Sequence, residues 1–266
     1  MNLIVCVKQI PDPEAPPASF KVDLNANKVI PPQGVPPVIS PYDETAVEAA
    51  LKIKDAKGGK ITVLSLGNNL IRDVVKKPLA MGCDELILLE DKAFEDGDSW
   101  STAYALAAAI KKIGTFDIIF CGRVAGDWDS GQVGSGIAEF LNIPSITLAK
   151  KVEVADGKVR VERLVADGYE VIEAPMPCLV TVTSELGEPR YAPLKGIMAA
   201  AKKQPTIWKP QDIGIDASRA GAQGRASKLA RLFQPVKEAK CEIIEGENLE
   251  EAAVKLALKL REAKVI

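Results

Sequence analysis

The chain has 266 residues, which is enough for one large domain or for a domain with an appendage. Hydrophobic residues make up 47%, charged residues make up 26% and the formal net charge is -2, which is typical of a soluble globular protein without a nucleic-acid-binding surface. The chain contains no histidine, which excludes histidine-assisted nucleophiles and histidine metal ligands and favours a protein that holds a cofactor.

The first predicted element is a buried strand, LIVCVK at 3–8. A short continuous apolar run is typical of a strand that is covered on both faces of a parallel sheet. The N-terminus has no basic region and no small-residue cleavage site, and no apolar run approaches the roughly 20 residues that cross a bilayer. The sequence therefore predicts a cytoplasmic protein without a signal peptide and without membrane insertion.

Helices and strands then alternate through the first half of the chain. The predicted helices, which show apolar residues at helical spacing, span 42–56, 70–82 and 99–114. The further predicted strands span 60–67, 85–90 and 116–122. Pro78 should disturb the last turn of the second helix. The alternation predicts an α/β fold, a Rossmann-like doubly wound and mostly parallel sheet that is covered on both faces.

The loops that follow the strands of such a sheet form its binding edge. The carboxyl ends of parallel strands lie together, and the ligands of open α/β sheets bind in the crevice outside them. The loops concerned are 7–13, 40–43, 66–69 and 122–134. The sequence therefore predicts a ligand site built from these loops.

Beyond residue 145 the pattern changes to strand-like runs separated by tight turns. The dipeptides Asp156-Gly157 and Asp167-Gly168 are strong hairpin signals. Together with the final run CLVTVT they predict an antiparallel extension of the sheet.

The C-terminal part is predicted to be less regular. A loop leads into a short helix within 187–203. Residues 204–227 show no periodicity and abundant glycine, proline and polar residues, which indicates a linker or an extended arm. The last segment, 248–263, has the apolar spacing of an amphipathic helix.

The loop after the fourth strand, within CGRVAGDWDSGQVGSGIAEF at 121–140, combines acidic residues with glycines. A calcium loop needs glycine at its sixth position and a glutamate at its twelfth. Counted from Asp127, the glycines stand at the fifth and eighth positions and Glu139 at the thirteenth, so the spacing argues against calcium. The cysteines form no C-x-x-C pair, which argues against disulfides, zinc and iron–sulfur clusters. They are Cys6, Cys83, Cys121, Cys178 and Cys241. No metal site is predicted.

A phosphate site is the second interpretation of this loop. The loop enters a predicted helix with the apolar residues Val133, Ile137, Phe140 and Leu141. Asp129 or Ser130 is expected to cap the first turn, and the unpaired amides there attract an anion. Gly131 and Gly134 allow close approach of a phosphate. The loop matches neither the dinucleotide fingerprint nor a Walker loop. From the residues alone, a phosphate site and a plain strand-to-helix turn are equally good interpretations.

The loop SPYDETAV at 40–47 has a similar double interpretation. Pro41 near the start of a helix and Asp43 in its first turn are ordinary helix-start residues, which by themselves explain the sequence. The loop lies on the same predicted edge as loop 122–134. Two such loops facing one crevice suit an adenine nucleotide.

Longer stretches of the chain resemble the β subunits of electron transfer flavoproteins. The most specific are VERLVADGYEVIEAPMPCLVTV at 161–182 and GEPRYAPLKGIMAAAKK at 187–203. Earlier stretches match the family in the same order, namely VCVKQIPD, SPYDETAVEAAL, LAMGCDELILL and GDWDSGQVG. The resemblance covers essentially the whole chain. It implies a Rossmann-like subunit that pairs with an FAD-carrying α subunit and acts as an electron carrier, with no catalytic residue of its own.

The resemblance also implies an adenine nucleotide in this subunit. The nucleotide is AMP in the common branch of the family and a second FAD in the electron-bifurcating branch. The phosphates are implied at Gln132, Val133 and Gly134. The full set of implied cofactor-binding residues is Cys6, Lys8, Ser40, Pro41, Tyr42, Asp43, Leu66, Asp127, Asp129, Ser130, Gly131, Gln132, Val133 and Gly134.

Two positions depart from the common pattern of the family. Ser40 stands where the family often has asparagine, so one polar contact to the nucleotide is not carried over. Val133 stands where the AMP-holding branch often has threonine, so a hydroxyl that bonds phosphate is absent. The sequence GQVG and Asp43 look more like the FAD-binding branch. The resemblance therefore favours FAD in this subunit, with AMP as the alternative.

Residues 184–203 resemble the recognition loop with which the family docks on partner dehydrogenases. Leu194 stands at the position of its anchoring leucine. The implied docking residues are Tyr191, Pro193, Leu194, Ile197 and Met198. The helical spacing of Leu194, Ile197, Met198 and Ala201 is also typical of a buried core helix. Leu194 is expected to be exposed, and both interpretations stay open for Ile197 and Met198.

The resemblance divides the chain into a nucleotide-binding domain at 1–203 and a C-terminal arm with a helix at 204–266, which packs on the α subunit. The implied partners are this α subunit and an acyl-CoA dehydrogenase-type flavoprotein. The bifurcating branch adds NADH and ferredoxin.

Two rival functions come from other classes. An ATP-binding enzyme of the adenylating or pyrophosphatase type carries a serine- and glycine-rich loop after its first strand, but KQIPDPEAPP at 8–17 contains no glycine. A scaffold with an empty crevice is the other alternative, and it would release no nucleotide on denaturation.

Overall fold

The computed structural model describes residues 1–235 and 241–266. The strands are β1 (Asn2–Val7), β2 (Gln9–Ile10), β3 (Lys21–Asp23), β4 (Lys28–Ile30), β5 (Val38–Ile39), β6 (Lys60–Gly67), β7 (Glu85–Glu90), β8 (Ile118–Gly122), β9 (Ser145–Ala155), β10 (Lys158–Val165), β11 (Gly168–Pro175), β12 (Cys178–Val182) and β13 (Thr206–Trp208). The helices are α1 (Pro41–Lys57), α2 (Arg72–Val75), α3 (Lys77–Met81), α4 (Ser99–Ile113), α5 (Val133–Leu141), α6 (Leu194–Lys202) and α7 (Leu249–Glu262).

Nine of the strands form one sheet, in the order β11-β10-β9-β12-β8-β1-β6-β7-β13. Neighbouring strands from β9 to β13 are parallel. At the other end β10 and β11 continue the sheet through two antiparallel pairings. The predicted α/β class, with a mostly parallel sheet and an antiparallel extension, is confirmed.

Helices cover both faces of the sheet because its central strands are apolar on both sides. The core on one face contains residues of α1, α2, α3 and α6. The core on the other face contains residues of α4 and α5. Strands β1 and β8 contribute side chains alternately to the two cores, as in a doubly wound sheet.

The order of connections creates a switch point at β1. The chain runs from β1 to β6 and β7 on one side, then returns through α4 to β8 on the other side of β1. Connections that leave in opposite directions open a crevice at the carboxyl ends of the two strands, where doubly wound sheets bind ligands. The carboxyl ends of β1 and β8 are therefore the place to look for a site.

The predicted helix at 70–82 is two short helices, α2 and α3, that meet at Lys76. Pro78 was expected to disturb the last turn of a single helix, but the break comes earlier. Proline lacks an amide hydrogen and its ring clashes with the preceding turn, so it occurs in the first turn of a helix. Pro78 lies in that position of α3, which makes α3 a new helix.

Residues 204–227, which lack sequence periodicity, contain one more strand. Strand β13 extends the sheet beyond β7, with Ile207 opposite Leu88. After it, Ile213, Ile215 and Ala220 are buried in the same core as α4. This segment is thus packed against the sheet and α4.

The predicted amphipathic helix at 248–263 is present as α7, and none of its residues is buried. Its exposed apolar side chains include Leu249, Val254, Leu256 and Leu258. In the part of the chain that the structure describes, no helix combines the length and the apolar character that crossing a membrane requires.

Candidate functional site at the sheet edge

The candidate site lies at the switch point, where Lys8 follows β1 and Gly122 ends β8. The start of α1 packs over both strand ends. The short pair of β2 and β5 holds the intervening loop in place, with Gln9 opposite Ile39. All four loops that were predicted to form the binding edge lie in this region or next to it.

Asp43, in the first turn of α1, bridges the two strand ends. The amide of Lys8 donates to Oδ2 of Asp43 at 2.8 Å, and the amide of Gly122 donates to Oδ1 at 3.2 Å. The side chain is buried. Burial raises the pKa of the Asp43 carboxyl to about 7, against the opposing effect of the two amides and of the Lys8 charge. Asp43 is therefore a titratable group inside the candidate site.

Lys8 and Asp127 form an ion pair above this bridge. Lys8 Nζ lies 2.8 Å from Oδ1 and 2.7 Å from Oδ2 of Asp127. An ammonium group has three donors, so one of the three remains for a further acceptor. The pair brings loop 122–134 against the end of β1, as the sheet topology predicts. Among residues 1–235 and 241–266, no three carboxylates or thiols converge in a group that could hold a metal ion.

Ser40 joins the same cluster from the residue before α1. Its amide donates to the carbonyl of Lys8 at 2.9 Å, and its buried hydroxyl accepts from the amide of Gly126 at 3.4 Å. Lys8, Ser40, Asp43 and Asp127 are therefore linked by hydrogen bonds, although three separate loops supply them. The hydroxyl of Ser40 thus holds the loop after β8 through its hydrogen bond with Gly126.

The start of α5 is open to an anion. No side chain caps this helix, and Gln132 precedes its first residue. The prediction that Asp129 or Ser130 caps α5 is wrong, because positive φ angles of 52° at Asp129 and 64° at Gly131 turn the loop. The hydroxyl of Ser130 instead lies 3.1 Å from that of Ser99. The first amides of a nine-residue helix thus keep their attraction for phosphate.

The two glycines of this loop have different roles. Gly131 adopts a left-handed conformation that side chains disfavour. At Gly134 a Cβ would lie 2.8 Å from Cγ2 of Thr181, so glycine lets α5 pack closely on β12. Packing therefore explains Gly134, while the uncapped helix start fits a phosphate. Each of the two alternative interpretations describes a part of the loop.

Arg123 is a site residue that the sequence analysis missed. Its guanidinium lies 4.9 Å from the centre of the Tyr42 ring, and Nη2 donates to the Tyr42 hydroxyl at 3.2 Å. The contact links the loop after β8 to α1 beside Asp43. The sequence did offer a signal for Arg123, because it is a basic residue directly after a predicted strand of the binding edge.

Cys6 and Leu66 contribute apolar surface from two adjacent strands. Cys6 is buried on β1 beside Cys121 of β8, and Leu66 is half-buried on β6. The hydrogen bond with Cys6, together with burial, raises the pKa of the Cys121 thiol well above its ordinary value. The Cys121 thiol is accordingly an unreactive group beneath the candidate site. Pro41, the first residue of α1, lies near Gly126.

The predicted docking residues on α6 lie on the surface. Leu194 is 74% exposed, Ile197 50% and Met198 59%, so the interpretation of these side chains as core is wrong. Tyr191, shortly before the helix, is 98% exposed. The opposite side of α6 packs on α3, where a Cβ at Gly196 would lie 2.2 Å from the carbonyl oxygen of Ala80. The helix therefore presents its apolar side chains outward because its small residues face the domain.

Comparison with known proteins shows the family to which the chain is similar. Residues 28–213 match the family model described as the electron transfer flavoprotein domain. The chain is 41% identical over 267 residues to an electron transfer flavoprotein subunit beta of Thermoanaerobacterium thermosaccharolyticum, with 100% of both chains covered. It is 39% identical, again with 100% of both chains covered, to the caffeyl-CoA reductase-Etf complex subunit CarD of Acetobacterium woodii. Protein FixA of Azorhizobium caulinodans is 38% identical, over 88% of this chain and 85% of FixA.

Proposed function

We propose a function from the premise that this chain belongs to the electron transfer flavoprotein family, as the β subunit of an electron-transfer heterodimer. The proposal is that the crevice at β1 and β8 holds FAD, that the α subunit holds a second FAD, and that the complex bifurcates electrons. In this function the chain is an electron carrier subunit, and the oxidoreductase activity belongs to the complex. The alternative is a subunit that holds only structural AMP.

The observation that carries the proposal is the donor set at the switch point. The uncapped amides at the start of α5 and the ammonium of Lys8 belong to the loops after β8 and β1, and both suit the phosphates of an adenine nucleotide. Valine at position 133 supplies no hydroxyl to a phosphate, which favours FAD over AMP within the family. Similarity to a subunit of a caffeyl-CoA reductase-Etf complex supports an acyl-CoA-type redox partner.

The residues of the chain bind and orient the nucleotide. A bound flavin supplies transfer of one or two electrons. The α5 amides and Lys8 hold the phosphates, and Cys6 and Leu66 give an apolar floor that limits access of water. Asp127 neutralises Lys8 and fixes its position. The chain contains no histidine, which agrees with this division of roles.

The partners follow from two exposed apolar surfaces. We infer that Leu194 and its neighbours on α6 dock on an acyl-CoA dehydrogenase-type flavoprotein, and that the arm with α7 packs on the α subunit. NADH would be the electron donor and ferredoxin the low-potential acceptor. The proposed compartment is the cytoplasm, where free thiols such as Cys241 stay reduced.

The test is the nucleotide content of the purified heterodimer. After denaturation, two FAD and no AMP per heterodimer are expected, and NADH should reduce ferredoxin only when the acyl-CoA-type acceptor is reduced too. If the heterodimer releases one FAD and one AMP, this subunit does not bind FAD and the complex does not bifurcate electrons. The function as an electron carrier would still hold. ATP turnover by the heterodimer would favour the ATP-binding enzyme instead. A heterodimer without nucleotide in this subunit contradicts the assignment of the crevice.

A further inference from the structure

Asp43 occupies a special place in the sheet, because it spans the switch point between β1 and β8. The last Cα partners assigned between these strands are Val5 and Phe120. Beyond this pair, Lys8 directly after β1 and Gly122 at the end of β8 are joined through the Asp43 carboxylate. The side chain of a helix thus continues a sheet connection at the point where a doubly wound sheet opens its crevice.

Ordinary helix-start chemistry does not account for this arrangement. An acidic residue in the first turn usually accepts hydrogen bonds from amides of its own helix start. Both oxygens of Asp43 instead accept from strand amides, and the amide of Ser40 donates to the carbonyl of Lys8. A Cβ at Gly122 would lie 2.7 Å from Oδ1 of Asp43 and 2.7 Å from Cβ of Tyr42. Glycine at the end of β8 is therefore what lets the carboxylate reach the strand.

We propose that Asp43 is a positioning residue that fixes the width of the crevice by joining the ends of β1 and β8, and that adenine-nucleotide affinity depends on its ionisation. The inference rests on the proposed function, in which this crevice holds an adenine nucleotide. Asp43 acts through Lys8, which faces the ligand, and through the start of loop 122–134. It is a residue that sets geometry and does not itself contact the phosphates.

The ionised carboxylate accepts both amides, whereas the protonated carboxyl turns one of its oxygens into a donor. Protonation therefore weakens one of the two strand connections. Because burial raises the pKa of Asp43 to about 7, this change falls near neutral pH. The groups that face Asp43 are Lys8 from the end of β1, Asp127 from the loop after β8 and the thiol of Cys121 from β8. Lys8 favours the ionised form, and Asp127 disfavours it.

The direction of the pH effect separates a positioning role from a simple charge effect. If Asp43 were only a negative charge near the phosphates, acidification would remove repulsion and tighten binding. If Asp43 holds the crevice together, acidification loosens the crevice and weakens binding. The two roles therefore predict opposite slopes of affinity against pH.

The experiment uses the full-length chain in complex with its α subunit, stripped of nucleotide and titrated with AMP and with FAD by calorimetry. The variants are Asp43→Asn, which keeps the shape but has only one acceptor, and Asp84→Asn as the matched control. Asp84 accepts the amide of Ile61 at 2.7 Å, a similar aspartate-to-strand bond at the opposite edge of the sheet. Titrations run from about pH 8.5 to about pH 5.5. The AMP phosphate itself ionises in this range, so the ratio of wild-type to variant affinity is the readout.

We expect D43N to bind about tenfold more weakly than wild type at the alkaline end, with the difference disappearing as the pH falls. D84N should bind like wild type at every pH. Equal affinity of D43N and wild type, or wild-type affinity that rises on acidification relative to D43N, overturns the positioning role. If D43N does not assemble, the pH dependence of FAD affinity in the wild type decides between the two roles. FAD is suitable for this because its phosphates do not ionise in this range. A wild-type heterodimer that binds neither AMP nor FAD contradicts the proposed function itself.

Discussion

The guanidinium of Arg190 and the carboxylate of Glu48 form a two-point ion pair. Nε of Arg190 lies 2.8 Å from Oε2 of Glu48, and Nη2 lies 3.0 Å from Oε1. The amide of Arg190 also donates to Glu48 at 3.1 Å, and Nη2 reaches Asp55 at 2.8 Å. The Glu48 side chain is 6% exposed, so its charge depends on this partner. The pair fixes the segment before α6 to α1.

Replacing Arg190 by lysine should therefore destabilise the chain. Lysine keeps the charge but cannot make both contacts, because its ammonium is a single point and guanidinium is a planar fork. We expect a loss of about 1–2 kcal/mol in the free energy of unfolding, measured by denaturant titration. Arg160→Lys, at an exposed position of β10, is the control and should have no measurable effect. Equal stability of R190K and wild type would show that the two-point geometry is unimportant.

Replacing Leu194 by alanine should weaken docking without affecting the fold. The side chain is 74% exposed, so its removal costs little in the free chain, whereas an anchoring leucine is buried in a complex. We expect the KM for the partner dehydrogenase to rise about tenfold, measured by steady-state electron transfer, with an unchanged Tm. Leu24→Ala, at another position that is 63% exposed, should behave like wild type. If both variants transfer electrons normally, Leu194 is not the anchor.

Replacing Val133 by threonine should increase affinity for AMP. Valine and threonine have nearly the same shape, so the change exchanges one methyl group for a hydroxyl at the first residue of α5. A new hydrogen bond to a charged phosphate should tighten AMP binding about three- to tenfold in nucleotide-stripped heterodimer, measured by calorimetry. Val133→Ala, which shortens the side chain without a hydroxyl, is the control. Equal AMP affinity of V133T and wild type would show that residue 133 does not contact the phosphates.

The stability of the nucleotide-free chain should depend on the ionisation of Asp43. The pKa of this carboxyl is raised to about 7 in the fold, so the stability it contributes is complete below its unfolded pKa of about 4 and is lost as the pH rises through 7. Between about pH 5 and pH 8, wild type should lose on the order of 3 kcal/mol relative to Asp43→Asn. Denaturant titrations at several pH values measure this difference. Parallel curves for the two proteins would contradict it.

Removing residues 241–266 should weaken the heterodimer and leave the β subunit itself stable. Helix α7 buries none of its residues against the part of the chain that the structure describes, so its apolar side chains gain most by packing on another subunit. We expect dissociation at about tenfold higher concentration than for wild type, measured by analytical ultracentrifugation, with little change in Tm. A control variant with Lys264→Ala, beyond the end of α7, should associate normally. If the truncated chain forms the heterodimer with wild-type affinity, the arm is not part of the interface.

The sequence was sufficient for elements whose signal is local. The apolar runs at β6 and β7 end where predicted, and the first hairpin turns at Asp156-Gly157 because this dipeptide accepts the tight turn. The second hairpin turns one residue earlier than predicted, at Ala166 and Asp167, because Gly168 already belongs to β11 and pairs with Val165. The position of the crevice at the carboxyl ends of the strands also followed, since it depends only on the alternation of strands and helices.

Features that depend on contacts between residues far apart in the chain could not be predicted from the sequence. Strand β13 has three residues and exists because β7 offers an open edge, which no local pattern announces. The double bond of Asp43 to Lys8 and Gly122 looks like an ordinary helix start until both strand ends are in place. Likewise, the loop turns at Asp129 and Gly131 decide that no side chain caps α5.

Helix α6 is held at both ends, at one by the contact of Arg190 with Glu48 and at the other by β13, which follows it almost directly. A partner that binds at Leu194 therefore finds a backbone that is already ordered, and docking loses little conformational entropy. Association should then proceed at the rate of two rigid patches, about 10⁵–10⁷ M⁻¹s⁻¹, without a slow folding step at the contact. For a carrier that must bind and leave repeatedly, this preformed surface allows short encounters.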